Sequence, residues 1–380
     1  MKILFASTHC LLDATSGAAI SMRILLSNLA AMGHDVSSCT ATVFDSENGA
    51  KSAAALFQQQ EKPQQLLVHN GGVRHFLAPT SHWARGNIHA GDMERLDNQY
   101  QAMLESNRPD LVITYGGMVS ERFILSEARD LGIKTAFMLV NPSYQHQNYF
   151  KHVDYIFTDT PTTAARYKAQ LGINVTPIGK LLEPEAVVCR QWQPEYVTFI
   201  NPSFNKGVNL VARLALMCRD RAPNIKFLVV ESRGSWAQSL ATLGLDAAQL
   251  SNVTVLPTQF DMRSVYARTK VLLIPSMWYE SGARVGMEAL ANGIPVIVES
   301  AGGTKDLLGD AAIILDIPEH AREKRNLLMS EEDVTPWFDA VTRLLADEEY
   351  YKGAHMRAKR QADAFDRRAS AEAFLEMLKT

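Results

Sequence analysis

Two glutamates, Glu280 and Glu288, are separated by seven residues in the run Glu-Ser-Gly-Ala-Arg-Val-Gly-Met-Glu. Paired carboxylates do acid–base work only when they converge on one reacting group. Here residues 270–275 read as a buried parallel strand, 276–281 as a loop, and 284–293 as a helix stopped at Gly293. Glu280 then sits in the loop and Glu288 about one to two turns inside the helix. The pair reads as two hydrogen-bond acceptors flanking a helix start, which is itself a site for anions.

Other residues able to meet an anion lie in loops that follow strand-like runs, where open parallel sheets bind ligands. Thr15-Ser16-Gly17-Ala18-Ala19 puts a glycine at a helix start, suited to close backbone approach or to a plain tight turn. Asn201-Pro202-Ser203-Phe204-Asn205-Lys206-Gly207 places Lys206 where a helix is expected to begin, against the macrodipole. Glu231-Ser232-Arg233-Gly234 and Gly302-Gly303-Thr304-Lys305-Asp306 follow the same pattern. With Arg284, these loops make a donor-rich, cationic cradle for a pyrophosphate. No Asp-x-Asp pair occurs in the chain, which disfavours a metal-bridged diphosphate and assigns charge neutralisation to the protein's own cations.

The elements that must position these residues alternate between strand and helix throughout, the pattern of α/β layers with parallel sheets. In the first half, strands are expected at 3–7, 36–41, 111–114, 135–140 and 155–159, and helices at 18–32, 121–131 and 161–171. The stretch 176–194, with three prolines and Gly179, reads as an interdomain connection. Strands at 197–200, 227–230, 253–256, 271–274, 294–298 and 312–315 and a helix at 206–221 then repeat the logic. Two Rossmann-like domains facing each other are expected, 1–180 joined by a C-terminal helix at about 362–380, and 195–361.

At 380 residues the chain suits two domains, and 47% hydrophobic with 21% charged residues suits a globular enzyme or binding protein. Its net charge of −3 offers no field to attract nucleic acid. Cys10, Cys39, Cys189 and Cys218 lack metal spacing and read as free thiols of a reducing compartment. No apolar run has signal-peptide or transmembrane length, so the expected location is the cytoplasm, with the inner membrane surface as an alternative working place. Eight of the ten histidines precede residue 160, several in the stretch 74–89, which reads as a solvated polar loop or an acceptor or membrane-surface loop.

The E-x7-E segment, the downstream Ala-Leu-Ala-Asn-Gly-Ile-Pro-Val-Ile of 289–297 and the Gly302-Gly303 pair resemble the retaining, nucleotide-sugar-dependent glycosyltransferases of family 4, which have the GT-B fold. The resemblance extends over nearly the whole chain and is most specific in the C-terminal half. It implies a metal-independent, hexosyltransferase-type enzyme with no cofactor, whose partners are a nucleotide-sugar donor and a glycan, glycolipid or small-molecule acceptor. Lys206 and Glu280 would be the catalytic pair, the first on the diphosphate and the second on the sugar hydroxyls. Glu288 would hold the ribose, and the amides of Ser281, Gly282 and Ala283 would lie near sugar and phosphate. Thr258 and Phe260 would flank the base, and Gly17, Asn201, Ser203, Arg233 and Arg284 would complete the donor site.

The chain departs from that family at two places. Members usually carry an arginine five residues before the diphosphate lysine, where this chain has Asn201, so Arg233 or Arg284 is expected to supply the charge. The histidine expected after the strand at 135–140 is also missing, and its acceptor-side role passes to Asn141, to His146 or to no residue. The competing readings are a catalytically silent GT-B subunit that binds nucleotide or a partner, and a sugar-nucleotide epimerase of the same fold.

Overall fold

The computed structural model describes residues 1–57, 66–365 and 367–379. The chain divides into two compact units, Met1–Leu181 with Asp366–Thr380, and Leu182–Phe365.

In the first unit the strands are β1 (Lys2–His9), β2 (Asp35–Val43), β3 (Leu66–Asn70), β4 (Val73–Ala78), β5 (Leu111–Thr114), β6 (Lys134–Leu139), β7 (Tyr155–Thr158) and β8 (Thr176–Pro177). They form one sheet in the order β3-β4-β2-β1-β5-β6-β7-β8, parallel except for the β3–β4 hairpin. Successive side chains of a strand point to opposite faces. Accordingly Ile3 and Phe5 pack with Leu25, Leu29 and Phe374 on one face, while Leu4 and Ala6 pack with Tyr100, Leu104 and Ile124 on the other. Burial on both faces explains the apolar run Ile3-Leu4-Phe5-Ala6 of β1. The last helix, Arg367–Met377, belongs to this unit and sets the Phe374 ring 4.6 Å from that of Phe157.

The second unit contains β9 (Tyr196–Ile200), β10 (Phe227–Val230), β11 (Val253–Leu256), β12 (Thr269–Ile274), β13 (Val296–Glu299) and β14 (Ala312–Leu315). Their order is β11-β10-β9-β12-β13-β14, with every pair parallel. The chain builds outward from β9 through β10 to β11, then returns to the other side of β9 with β12. That reversal makes the β9/β12 boundary the topological switch point, where loops diverge and leave a crevice for a ligand.

Two expectations need correction, and a third gains detail. The boundary between the two units, Leu181 to Leu182, falls within the stretch 176–194, in which Thr176–Pro177 is the edge strand β8 and Leu182 and Val187 pack into the core of the second unit. The backbone of the stretch is tied down there, with Cys189 N donating to Asn292 Oδ1 at 2.8 Å and Gln193 N to Ala267 O at 2.8 Å. The stretch 74–89 is not one loop, since Val73–Ala78 is strand β4 and Ala90 opens an 18-residue helix ending at Asn107. The helix expected at 206–221 begins at Val208, after a 3-10 turn Phe204–Lys206 and Gly207 at φ 89°. A Cβ on Gly207 would lie 2.0 Å from the Pro275 carbonyl oxygen, so the break is fixed by close approach of the β12 loop.

Candidate active site

Five adjacent strands of the second unit, β11, β10, β9, β12 and β13, all point their carboxyl ends the same way. The loops that follow them carry Thr258 and Phe260, Arg233, Lys206, Glu280 and Gly302 in that order across the sheet. Parallel pairing therefore gathers residues scattered over about a hundred positions of sequence into one rim.

At the switch point, Lys206 Nζ forms an ion pair with Glu280 Oε1, and Ser276 Oγ donates to the same oxygen at 2.9 Å. The two loops are stitched together by Met277 N donating to Asn205 O at 2.9 Å. On the far side Gly303 N donates to Glu280 O at 2.8 Å, and Gly302, at φ 92°, would carry a Cβ 2.4 Å from that carbonyl oxygen. Hence Gly302 is required by backbone contact with Glu280 itself. Burial pushes the Glu280 carboxyl up, but the Lys206 charge, hydrogen bonds from Lys206 and Ser276, and the Trp278 indole outweigh it and hold the group below its ordinary value. Lys206 is thus the last residue of a 3-10 turn and a carboxylate's partner, rather than an unfavourable charge in a helix's first turn.

Glu288 lies inside the helix Arg284–Ala291, is 6% exposed, and is held at both oxygens. Tyr266 Oη donates to Oε2 at 2.6 Å, and Arg284 Nε lies 2.8 Å from Oε1. A carboxylate has about four acceptor sites, so lone pairs remain for a ligand's hydroxyls. The Arg284 guanidinium is thus turned toward Glu288. Of the amides at the helix start, Ala283 N is already used, donating to Thr304 Oγ1 at 3.0 Å. At the same helix start Ser281 is buried and Gly282 half-buried.

Asn201 adopts φ 64°, and its side chain does a structural job. Its Oδ1 accepts from Gly234 N at 2.9 Å, joining the β9 loop to the β10 loop directly beside Arg233. Ser203 N donates to Asn201 O at 2.7 Å within the same tight turn. Arg233 is exposed at the rim; Thr258 is half-buried and Phe260 is 56% exposed in the loop after β11.

In the first unit, Gly17 opens the helix Gly17–Ala31, and among the described residues no atom beyond its chain neighbours and its own helix backbone lies within 4 Å of where its Cβ would be. Packing does not demand glycine there. The loop before it is shaped by buried Asp13, which accepts from Thr15 N and Asp45 N, each at 2.8 Å. Asn141 Oδ1 accepts from Ser143 N at 3.0 Å, closing a turn after β6, and His146 is exposed at the start of a 3-10 turn. Of the histidines at 74–89, His75 is buried on β4, bonded at Nδ1 to Ser38 Oγ over 2.8 Å, and pushed by burial down to about 4. It is a packed core histidine.

The sequence reading gave no individual role to Tyr266, to Glu121 or to Thr304, although Thr304 stood in the 302–306 loop it singled out. Glu121 is 1% exposed and accepts from Thr8 N at 3.0 Å and Met118 N at 2.8 Å, fixing the end of β1 against the loop after β5. The only sequence signal for it was a glutamate three residues after Met118 at a helix start.

Residues 193–361 match the family model described as glycosyl transferases group 1. The chain is 29% identical over 187 residues to a D-inositol 3-phosphate glycosyltransferase of Nocardia farcinica, a match spanning 48% of this chain and 39% of that protein. Among solved structures, sucrose-phosphate synthase of Thermosynechococcus elongatus aligns with TM-score 0.72 at 16% identity, covering 100% of this chain and 98% of that one. The Anabaena protein Alr3699/HepE, solved in complex with UDP and glucose, aligns with TM-score 0.69 at 13% identity and 100% coverage of both chains. The chain has the GT-B fold, and its residues 193–361 are similar to the group 1 glycosyl transferases.

Proposed function

We propose that this protein is a retaining, metal-independent glycosyltransferase that moves a sugar from a nucleotide diphosphate to an acceptor held by its first unit. The observation that carries this reading is the Lys206–Glu280 pair at the switch point, with Glu288 held ready eight residues on. Donor binding would separate the pair's duties. Lys206 turns to the diphosphate, Glu280 accepts from the sugar hydroxyls and Glu288 from the ribose hydroxyls. Arg233 supplies the further positive charge.

The bond from the anomeric carbon to the phosphate oxygen breaks, and its electron pair goes to that oxygen. The acceptor hydroxyl bonds to the anomeric carbon on the same face, and its proton passes to the departing phosphate oxygen. Lys206 stabilises the growing negative charge, an electrostatic contribution of the oxyanion-hole kind. The solved relative that holds UDP and glucose makes a uridine donor the first to test, and the inositol phosphate transferase makes a phosphorylated polyol one acceptor class among glycans, glycolipids and small molecules. No described helix is long and apolar enough to cross a membrane, and we place the enzyme in the cytoplasm, meeting its acceptor in solution or at the membrane surface.

The test is nucleotide diphosphate release from a panel of nucleotide sugars, with and without candidate acceptors. Release that disappears in Lys206→Ala supports the reading. Tight nucleotide binding with no release under any acceptor supports a silent binding subunit, a reading favoured by Asn201 standing where relatives carry arginine.

A further inference from the structure

We infer that Arg322, from the helix Glu319–Glu323 outside every motif above, is the residue that positions Glu280. Its guanidinium lies between the two loops that enclose Glu280. Nη1 donates to the carbonyls of Ser276 and Met277, each at 3.4 Å, on the loop after β12. Nη2 pairs with Glu299 Oε1 at the end of β13. That oxygen also accepts from Ala301 N at 2.8 Å, which shapes the turn leading to Gly302 and Gly303. Nε donates to Ile317 O at 3.3 Å, fixing the fork from behind.

Ser276 and Met277 are themselves the groups that reach Glu280 and the residue before Lys206, through Ser276 Oγ to Glu280 Oε1 and Met277 N to Asn205 O. One planar cation therefore sets the backbone on both sides of the carboxylate. A lysine could not reproduce this, because a point charge lacks the separate donors of the guanidinium fork. Glu299 is buried and Arg322 half-buried, 1% and 16% exposed at the side chain. A buried ion pair is weak as a stabilising device, since desolvation offsets the attraction. Its value here lies in fixing geometry, and small misplacements at a reacting centre are expensive. The role of Glu280 in this inference rests on the proposed transferase reading; the positioning itself does not.

The test is hydrogen–deuterium exchange of the full chain, comparing wild type with Arg322→Met combined with Glu299→Leu, which replaces the pair by apolar groups of similar volume. Peptides covering 276–280 and 300–304 are expected to exchange about tenfold faster, while peptides of β9, β12 and β13 keep their protection. Unchanged exchange at 276–280, or acceleration spread evenly over the sheet, overturns the inference. If that variant does not fold, Arg322→Lys retains the charge and is expected to show the same local pattern. Where wild type releases UDP from UDP-glucose, kcat is expected to fall about tenfold with the UDP Kd nearly constant. A wild type that releases nothing sinks the transferase reading alone, and the exchange result still decides this one.

Discussion

Lys206 and Glu280 lie 74 positions apart in sequence, yet each is the other's charged partner at the point where the second sheet reverses its winding. Sheet order explains the meeting: β9 and β12 are neighbours, so the first turn after each strand faces the other. A lysine and a carboxylate that neutralise each other keep both side chains in place until a ligand with its own negative charge and hydroxyls arrives.

The pairing has a pH signature. Because the folded Glu280 carboxyl is held below its ordinary value, it contributes stability above the unfolded pKa, and that contribution is lost as pH falls through the folded value. In Lys206→Met the carboxyl is buried without its cation, and burial then raises it. The variant is expected to lose about 1–3 kcal/mol near pH 7. The deficit should shrink on going toward pH 4, where protonation removes the unpaired charge. Thermal melts of both proteins across that range check this; a deficit independent of pH would show that the loss is one of packing.

Tyr266 makes a second prediction. Its hydroxyl donates to Glu288 at 2.6 Å in a fully buried setting, and the neighbouring carboxylate and burial both push the phenol far above its usual range. Tyr266→Phe removes one orienting bond and leaves a buried carboxylate oxygen short of a donor, at about 1–3 kcal/mol. Nucleotide affinity measured calorimetrically with UDP, GDP and ADP should weaken by about tenfold for whichever binds wild type. Equal affinity in both proteins would mean that Glu288 is oriented by Arg284 alone.

The Asn201 clamp predicts that restoring the relatives' residue type harms this chain. Asn201→Arg forces a long side chain to φ 64° and deprives Gly234 N of its acceptor, so about 1–3 kcal/mol of stability should be lost. Gly234→Ala tests the same junction by sterics, since its Cβ would lie 2.6 Å from Pro202 O and 2.9 Å from Ser203 N. Both neighbours are backbone, so overpacking by about 1–3 kcal/mol is expected. A thermal shift within error for both variants would refute the clamp.

The cysteines should react in a fixed order. Cys10, Cys39 and Cys218 are buried, and burial pushes each up to about 12. Cys189 is half-buried and raised by burial, with its own backbone working in the opposite direction. Labelling the native protein at pH 8 should modify Cys189 first, as mass spectrometry of the digested product would show. Early labelling of Cys10 would mean that the loop after β1 opens readily.

Much of the second unit was legible in the sequence because each element carries its own stop. The helix Pro161–Leu171 in the first unit shows the same advantage, with proline at its first position and Gly172 in the left-handed conformation at its end. The hairpin β3–β4 and the helix Ala90–Asn107 were not foreseen. β3 is an edge strand with alternating exposure, and the helix buries only five of its eighteen residues, so neither offers a long apolar run. At the site, the motif residues and Lys206 could be named in advance. Tyr266 and Arg322 could not, because their contacts span 22 and 46 positions and depend on which strands lie side by side.

The most direct test of the account measures nucleotide diphosphate release by wild type and Lys206→Ala over a panel of nucleotide sugars. Release by wild type that falls by about a hundredfold or more in the variant, with the fold intact by circular dichroism, is the predicted result. Undiminished release in Lys206→Ala would contradict the role given to the Lys206–Glu280 pair.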